Sequence, residues 1–314
     1  MRFHYRRVVD KPLVSVVVPN YNHAKYLDKR LETVFNQTYD SFEVIILDDS
    51  SVDNSLQIIN KYSGNPHLST IIVNERNSGS TFWQWDKGIQ LAKGDLIWIA
   101  ESDDYNELSF LEEMVNSFLS NSSLVLCFSN YIWFNDNGII KQPKRCSNQY
   151  FDGNRFIQGW MAIENAVSNA SGAVFKRQAY EHISKGYLSF KAAGDYQFWI
   201  EIASQGDVGH IRKIMTYFHK NTDSVTSNNM MNGNSVLEDI RVNSFIIEHY
   251  DLSFFQRQAM CARFSAKYRN LSFNLDIKNR MNSFWHSNKR HFLIDHYYLR
   301  SIRFVRDYLG LLCI

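Results

Sequence analysis

The sequence predicts an α/β fold: a mostly parallel sheet flanked by helices, followed by a helical C-terminal extension. Three observations carry this expectation. Over roughly the first hundred residues, apolar runs rich in Val and Ile alternate with stretches whose apolar residues recur every three or four positions. Each run ends in a polar turn, and several of these turns are acidic. Beyond residue 234 the alternation stops and helical spacing continues. Repeated units of this kind form parallel sheets with helices on their faces.

LVSVVV (13–18) reads as a buried strand, and 24–36 as a helix with Leu27, Leu31, Val34 and Phe35 on one face. FEVIIL (42–47) is the second strand, and 53–63, with Leu56, Ile58 and Ile59, the second helix. STIIV (69–73), a helix over 82–92 and LIWIA (96–100) complete the regular part. A helix is expected near 107–119, then two strands in VLCFSN and YIWF, a loop-rich stretch over 135–159, and a strand at SGAVFKR (171–177). AAGDYQFWIEIASQGD (192–207) reads as a helix with Phe198, Trp199, Ile202 and Ala203 on its apolar face and Asp195 near its start. No internal repeat or low-complexity tract is present.

A hydrophobic content of 45%, with 15% aromatics, supports a large core and excludes wholesale disorder. The four cysteines, Cys127, Cys146, Cys261 and Cys313, form no CxxC pair, so neither a zinc site nor a disulfide scaffold is indicated. The basic N-terminus has only a short apolar run that ends at Pro19, unlike a secretory signal. No run reaches the ~18 apolar residues of a spanning helix. A cytoplasmic location is the expectation. Net charge is +2, yet residues 256–314 carry eleven Lys/Arg against three Asp, which leaves an acidic body with a basic tail. Such a tail suits an anionic surface.

In sheets of this type ligands bind beyond the carboxyl ends of the strands. Those ends carry Pro19-Asn20-Tyr21-Asn22, Asp48-Asp49-Ser50, Asn77-Ser78-Gly79 and Glu101-Ser102-Asp103-Asp104. Carboxylates crowded on one turn repel unless a cation joins them, and Mg2+ or Mn2+ takes oxygen ligands while sharing phosphate oxygens with a substrate. The competing reading is a solvated turn in which Asp103 or Asp104 caps the next helix. Asp49 has two readings as well. It is either part of a turn and cap before residue 53, or an acceptor for the N3–H of uracil or thymine, or for the N1–H and amino group of guanine. A phosphoacceptor receiver domain is excluded by register, because its acidic pair follows the first strand, where this chain has PNYN.

Beside these readings, VSVVVPNYNHAKYLDKRLETVFNQTYDSFEVIILDDSSVDNS, followed by NSGS, GIQLAKGDLIWIAESDD and GDYQFWIEIA, resembles the family 2 glycosyltransferases of GT-A fold over residues 13–227. The resemblance implies an inverting, metal-dependent transfer of a sugar from a nucleotide-diphosphate donor, a UDP-sugar first and a dTDP-sugar second, to a hydroxyl of a growing lipid-linked cell-surface glycan. It implies that Pro19, Tyr21, Asn22 and Asp49 hold the base and that Asn77 and Gly79 lie near base and ribose. Glu101-Ser102-Asp103 stands where the family has its DxD, with Asp103 the expected ligand for Mn2+ or Mg2+ and Glu101 in place of the first Asp. His219 is expected near the diphosphate and metal. Asp195 is the expected general base, at a helix start whose dipole favours the ionised carboxylate; an ordinary N-cap is the other reading. Ser171 and Gly172 are expected on the acceptor side, with Trp199 as a stacking or core residue.

Two segments depart from the family pattern. Phe82-Trp83-Gln84-Trp85-Asp86 stands where an Ala-Arg-Asn run is common, which leaves Gln84 or Lys87 to replace the arginine contact, and Gly194 replaces a Glu before Asp195. Gly194, together with Glu101 in place of the first Asp of the DxD, supports a competing class, a catalytically inactive nucleotide-sugar-binding subunit of a polysaccharide assembly complex. The expected organisation is a catalytic domain over 1–234 (donor half about 13–130, acceptor half about 131–234) and a basic helical extension over 235–314. In the tail, Leu299, Ile302, Val305, Leu309 and Leu312 recur at helical spacing beside Arg300, Arg303 and Arg306. That helix either docks on the domain or lies on an anionic membrane, peripherally on the inner face of the plasma membrane. No nucleic-acid-binding motif accompanies the charge.

Overall fold

The computed structural model describes residues 11–135, 138–141, 148–220, 233–268 and 273–287. In chain order these form β1 (Val14–Asn20), α1 (Ala24–Phe35), β2 (Phe42–Asp48), α2 (Ser55–Lys61), β3 (Leu68–Val73), α3 (Thr81–Leu91) and β4 (Leu96–Ile99). Next come β5 (Tyr105–Asn106), α4 (Phe110–Ser120), β6 (Leu124–Asn135), β7 (Gly138–Lys141), β8 (Gln149–Phe151) and α5 (Gly153–Phe156). β9 (Ala173–Lys176), α6 (Arg177–Tyr180), α7 (Gly194–Ala203) and β10 (Asp207–His219) follow, and α8 (Asn234–His249), α9 (Phe254–Tyr268) and α10 (Leu275–Ser287) close the described chain. The chain groups into two compact units. One comprises Met1–Tyr150, Val167–Ser184 and Gln205–Asn221, the other Phe151–Ala166, Lys185–Ser204 and Thr222–Ile314.

The first unit is built on a sheet of order β3-β2-β1-β4-β9-β6-β10-β5. β1 pairs in parallel with β2 on one side and β4 on the other, and β2 pairs in parallel with β3. All residues of β1, β2 and β4 are buried, as expected for strands covered on both faces. The chain steps outward from β1 to β3 and then returns to lay β4 on the other side of β1. The carboxyl ends of β1 and β4 therefore flank the point where strand order reverses, where open α/β sheets form their binding crevice. α3 closes tightly over this region: a Cβ on Gly88 would stand 2.2 Å from Cγ1 of Val17 and 3.1 Å from Cδ1 of Leu47, so only glycine lets the helix approach β1 and β2 this closely.

Two strand expectations change. VLCFSN and YIWF are one strand, β6. β10, with 13 residues, was not expected at all. It runs parallel to β6 with register shifts between Asp207 and Val208, Ile211 and Ile214, and Ile214 and Thr216, and these irregularities erase the period-two pattern by which a strand is recognised.

In the second unit, Val236, Phe264, Tyr268, Ile277, Met281 and Phe284 form a core among α8, α9 and α10, in keeping with the helical extension. Part of its positive charge is neutralised locally. Arg263 pairs with Glu164 at 3.2 Å, Lys267 with Asp239 at 2.6 Å and Arg280 with Asp276 at 3.3 Å. The expected helix from Leu299 to Leu312 lies outside the described residues. Among the described residues, no helix is long and apolar enough to cross a membrane.

Candidate active site

The polar turns after β1 and β2 are cross-linked. Nδ2 of Asn20 donates to Asp48 at 2.8 Å and to the Ser51 hydroxyl at 3.1 Å, while Oδ1 of Asn22 accepts the Val52 N–H at 2.8 Å. Asn22 and Ser50 take left-handed backbone at φ 55 and 67, a local strain that these side-chain bonds offset. Pro19 lies inside β1 opposite Leu47, and Tyr21 projects from the turn, 45% exposed.

Asp49 is buried, and its oxygens are engaged. It accepts from Nδ2 of Asn74 at 2.6 Å, from the Ser78 N–H at 2.9 Å and hydroxyl at 2.7 Å, and from Nε2 of Gln84 at 3.0 Å. Its backbone carbonyl accepts from Nδ2 of Asn77 at 3.2 Å, and Oδ1 of Asn77 in turn accepts the N–H of Gly79, whose φ of 71 suits glycine. Asp49 thus anchors the loop expected near base and ribose. Of the two candidates for the missing arginine, Gln84 contacts Asp49 directly, whereas Nζ of Lys87 reaches Asn74 at 2.6 Å. Trp85 is buried and Trp83 is exposed, bordering a cleft of about 430 Å³ with Ser78, Asp86, Lys87 and Gln90.

At the end of β4 the four polar residues alternate. Ser102 and Asp104 are buried, while Glu101 and Asp103 remain partly accessible. Asp104 caps no helix. Its Oδ2 accepts from the Ser171 hydroxyl at 2.7 Å and Nδ2 of Asn169 at 2.8 Å, and its Oδ1 accepts the His219 N–H at 2.9 Å. It therefore ties the β4 turn to the start of β9 and the end of β10. Ser102 shares a hydrogen bond with Nδ1 of His23 at 2.7 Å. Glu101 accepts from the Trp85 indole at 2.6 Å, and its N–H donates to the Ser171 hydroxyl at 3.0 Å.

Arg30 was not singled out by the sequence. It is fully buried on α1 beneath this turn, donating from Nε to the Glu101 carbonyl at 2.8 Å and from Nη1 to Oδ1 of Asn106 at 2.7 Å. Nη2 has no hydrogen-bond acceptor among the described residues, so that end of the guanidinium meets the carboxylates only through space. Burial lowers its pKa to about 10, against the opposing pull of Asp104, Asp103 and Glu101. One guanidinium does not balance three carboxyls. Burial and then the neighbouring Asp103 push Glu101 up to about 8, burial and Asp103 push Asp104 up to about 6, and burial raises Asp103.

These properties fit a hard divalent cation. Glu101 and Asp103 offer accessible oxygen ligands whose mutual repulsion a cation would relieve. Among the described residues no three His, Cys, Asp or Glu side chains converge as a metal cluster, so the pair would leave most positions of an ion to water and phosphate, the usual arrangement for Mg2+. His219 is buried, its ring 4.3 Å from that of Tyr26 and 5.1 Å from that of Phe134.

Of the residues expected on the acceptor side, Ser171 is buried, with its hydroxyl on Asp104 and its carbonyl taking the Trp98 indole at 2.9 Å and Asn106 at 2.8 Å, so it braces the acidic turn. A Cβ at Gly172 would lie 3.1 Å from the Thr216 hydroxyl, so the close approach there is that of β10. Trp199 is fully buried against Phe198, with no face open to a sugar. In the second unit, Asp195 lies in the first turn of α7 and is half-buried; Oδ2 accepts from Nδ2 of Asn165 at 2.8 Å, and burial raises its pKa to about 6.

The sheet order, with helices on both faces, is that of a GT-A-like fold. The family model described as Glycosyl transferase family 2 matches residues 15–184, more than half of the chain, and the protein belongs to that family. A chondroitin synthase of Pasteurella multocida (strain Pm70) is 28% identical over 258 residues, 79% of this chain and 25% of that protein. The chain thus spans about a quarter of that synthase's length. The putative glycosyltransferase EpsH of Bacillus subtilis (strain 168) is 34% identical over 198 residues, 59% of this chain and 56% of EpsH. Among solved structures, S. aureus TarS 1-349 in complex with UDP-GlcNAc aligns with a TM-score of 0.70 at 19% identity, covering 88% of this chain and 81% of that one. The mannosyltransferase PcManGT from Pyrobaculum calidifontis, in complex with GDP-Man and Mn2+, aligns with a TM-score of 0.57 at 13% identity, covering 96% and 88%. At these identities the two structures speak for the fold.

Proposed function

We propose that the protein transfers a sugar, with inversion, from a nucleoside-diphosphate donor of UDP or dTDP type to a hydroxyl of a growing, lipid-linked glycan. The observation that carries this reading is the accessible pair Glu101 and Asp103, held at the strand end by the buried Arg30, Asp104 and Ser171. Tyr21 offers its ring to the base, and Asp49 holds the Asn77–Gly79 loop beside it with Pro19 and Asn22 on the same rim. A divalent cation on Asp103 and Glu101, with His219 nearby, would act as a Lewis acid for the charge that grows on the departing diphosphate. Ser102, fixed by His23, sets the path of the turn between the two carboxylates. Asp195 accepts the proton of the attacking hydroxyl onto its carboxylate as the new glycosidic bond forms and the donor's anomeric bond to phosphate breaks.

The test is a donor panel read by thermal shift with and without Mn2+, since a ligand that binds the folded state stabilises it by about 2.7 kcal/mol at a hundred times its Kd. Asp103→Asn is expected to lower transfer by about 10²–10³-fold, the loss seen when a group that stabilises developing charge is removed, and to abolish the Mn2+-dependent part of the shift. Donor binding with neither transfer nor hydrolysis of any panel member would instead favour the inactive binding subunit.

The organisation belongs to the same proposal, with residues 1–234 catalytic and 235–314 a basic extension on an anionic membrane face. Deleting residues 287–314 is expected to lower recovery of folded protein on anionic vesicles; unchanged recovery would remove the membrane role from the tail.

A further inference from the structure

The segment leading into α7 has little of its own to define its path. Ala192, Ala193 and Gly194 carry no hydrogen-bonding side chain, yet Asp195 follows immediately. α8 supplies what is missing. Oε1 of Glu238 accepts the Lys191 N–H at 2.7 Å, and Oε2 accepts the N–H groups of Ala192 at 2.7 Å and Ala193 at 2.8 Å. One turn further along α8, Nη2 of Arg241 donates to the Ser189 hydroxyl at 2.9 Å, and its guanidinium lies 4.0 Å from the centre of the Phe190 ring. Two residues of one helix thus grip five consecutive residues before α7.

Glu238 is buried, and a buried carboxylate is costly unless its lone pairs are used. Three consecutive main-chain donors satisfy it, in charge-assisted bonds stronger than neutral ones. α8 is itself held by Asp239, which accepts from the Tyr268 hydroxyl at 2.6 Å and from Nζ of Lys267 at 2.6 Å on α9. The hold on residues 189–193 therefore rests on packed helices.

We propose that Glu238 is a positioning residue for sugar transfer: by clamping the main chain of 191–193 it sets the direction of the Asp195 carboxylate. This rests on the reading of Asp195 as the base. Glu238 touches no reacting atom, and it makes α8 part of the machinery that orients the base.

Glu238→Gln keeps the side chain's length but turns an amide nitrogen towards main-chain donors. Two measurements are made on the folded variant. Amide exchange over residues 189–195 needs no donor and is expected to quicken about tenfold, as a local opening becomes easier. Turnover, read as nucleoside-diphosphate release from the nucleotide-sugar giving the largest thermal shift in the donor panel, is expected to fall about ten- to a hundredfold in kcat with donor KM within about twofold, the signature of lost orientation. Glu238→Asp should fall between. Unchanged exchange, unchanged kcat, or a proportional loss of kcat and donor binding each overturns the proposal. If Glu238→Gln fails to fold, Arg241→Ala, at an exposed position on the same clamp, is expected to show the same split in a smaller degree, and unchanged kcat there overturns it. Retained transfer in Asp195→Asn would sink the base reading itself, whereas an inactive Asp195→Asn beside a fully active Glu238→Gln would sink only the positioning role.

Discussion

Asp195→Asn is expected to lower sugar transfer by about 10²–10⁴-fold, the usual worth of a positioned general base, while the thermal shift given by UDP with Mn2+ stays as in the parent. The substitution keeps the side chain's shape and an oxygen able to accept from Asn165 while removing the carboxylate's charge and proton affinity, so it separates base catalysis from packing. A pH profile supplies an independent check. Burial raises the Asp195 carboxyl to about 6, so kcat should fall as pH drops through that value and level off above it. Stability runs the other way. Because the folded-state pKa lies above the unfolded value, the contribution of this group is fully present below the unfolded pKa and is lost as pH rises through about 6. The protein is thus expected to accept a stability cost at neutral pH in order to keep an ionised base there. Full transfer activity in Asp195→Asn, or a kcat profile flat between pH 5 and 7, would remove Asp195 from this role.

Arg30→Met is expected to destabilise the protein by about 3–5 kcal/mol, the range for removing one partner of a buried charge constellation, measured by urea unfolding. The guanidinium is fully buried and holds both the Glu101 carbonyl and Asn106. Its loss leaves Asp104 and Asp103 without the guanidinium that stabilises their charge and frees the turn that carries Glu101 and Asp103. The double variant Arg30→Met with Asp104→Asn should be less destabilised than the sum of the singles by about 0.5–3 kcal/mol, the size of coupling between residues of one network. A single-variant loss below about 1 kcal/mol, ordinary for any substitution, would show that Arg30 is not the counter-charge of this site.

Both residues bear on how far the site could be read from sequence. The strand ends were legible because β1, β2 and β4 are covered on both faces and therefore read as unbroken apolar runs, each stopping at its polar turn. Glu101 and Asp103 were singled out through the resemblance to the family's DxD, whereas the job of Asp104 was not legible. It is satisfied by Asn169, Ser171 and the main chain of His219, all distant in sequence. The packing of Ser171, Gly172 and Trp199 was not legible for a related reason: a small residue or a tryptophan looks the same in sequence whether it faces a ligand or fills a joint in the fold. β10 was missed because its register shifts break the very period that marks a strand.

Arg30 and Glu238 escaped for one reason. Helical spacing puts Arg30 on the same face as Leu27, Leu31 and Val34, but for either residue the partners that satisfy its charge come from other elements, and nothing local to the helix names them. By itself the sequence determined the parallel strands, the acidic rim at their carboxyl ends and, through the order of its motifs, the family. Those are consequences of local periodicity and of which residues terminate each run. Only the tertiary structure decided which carboxylates remain open to a ligand and which brace the turn, because burial and hydrogen-bond partnership depend on segments brought together across tens to hundreds of residues. The clamp of Glu238 on the chain before α7, 45 to 47 residues away, is of that second kind.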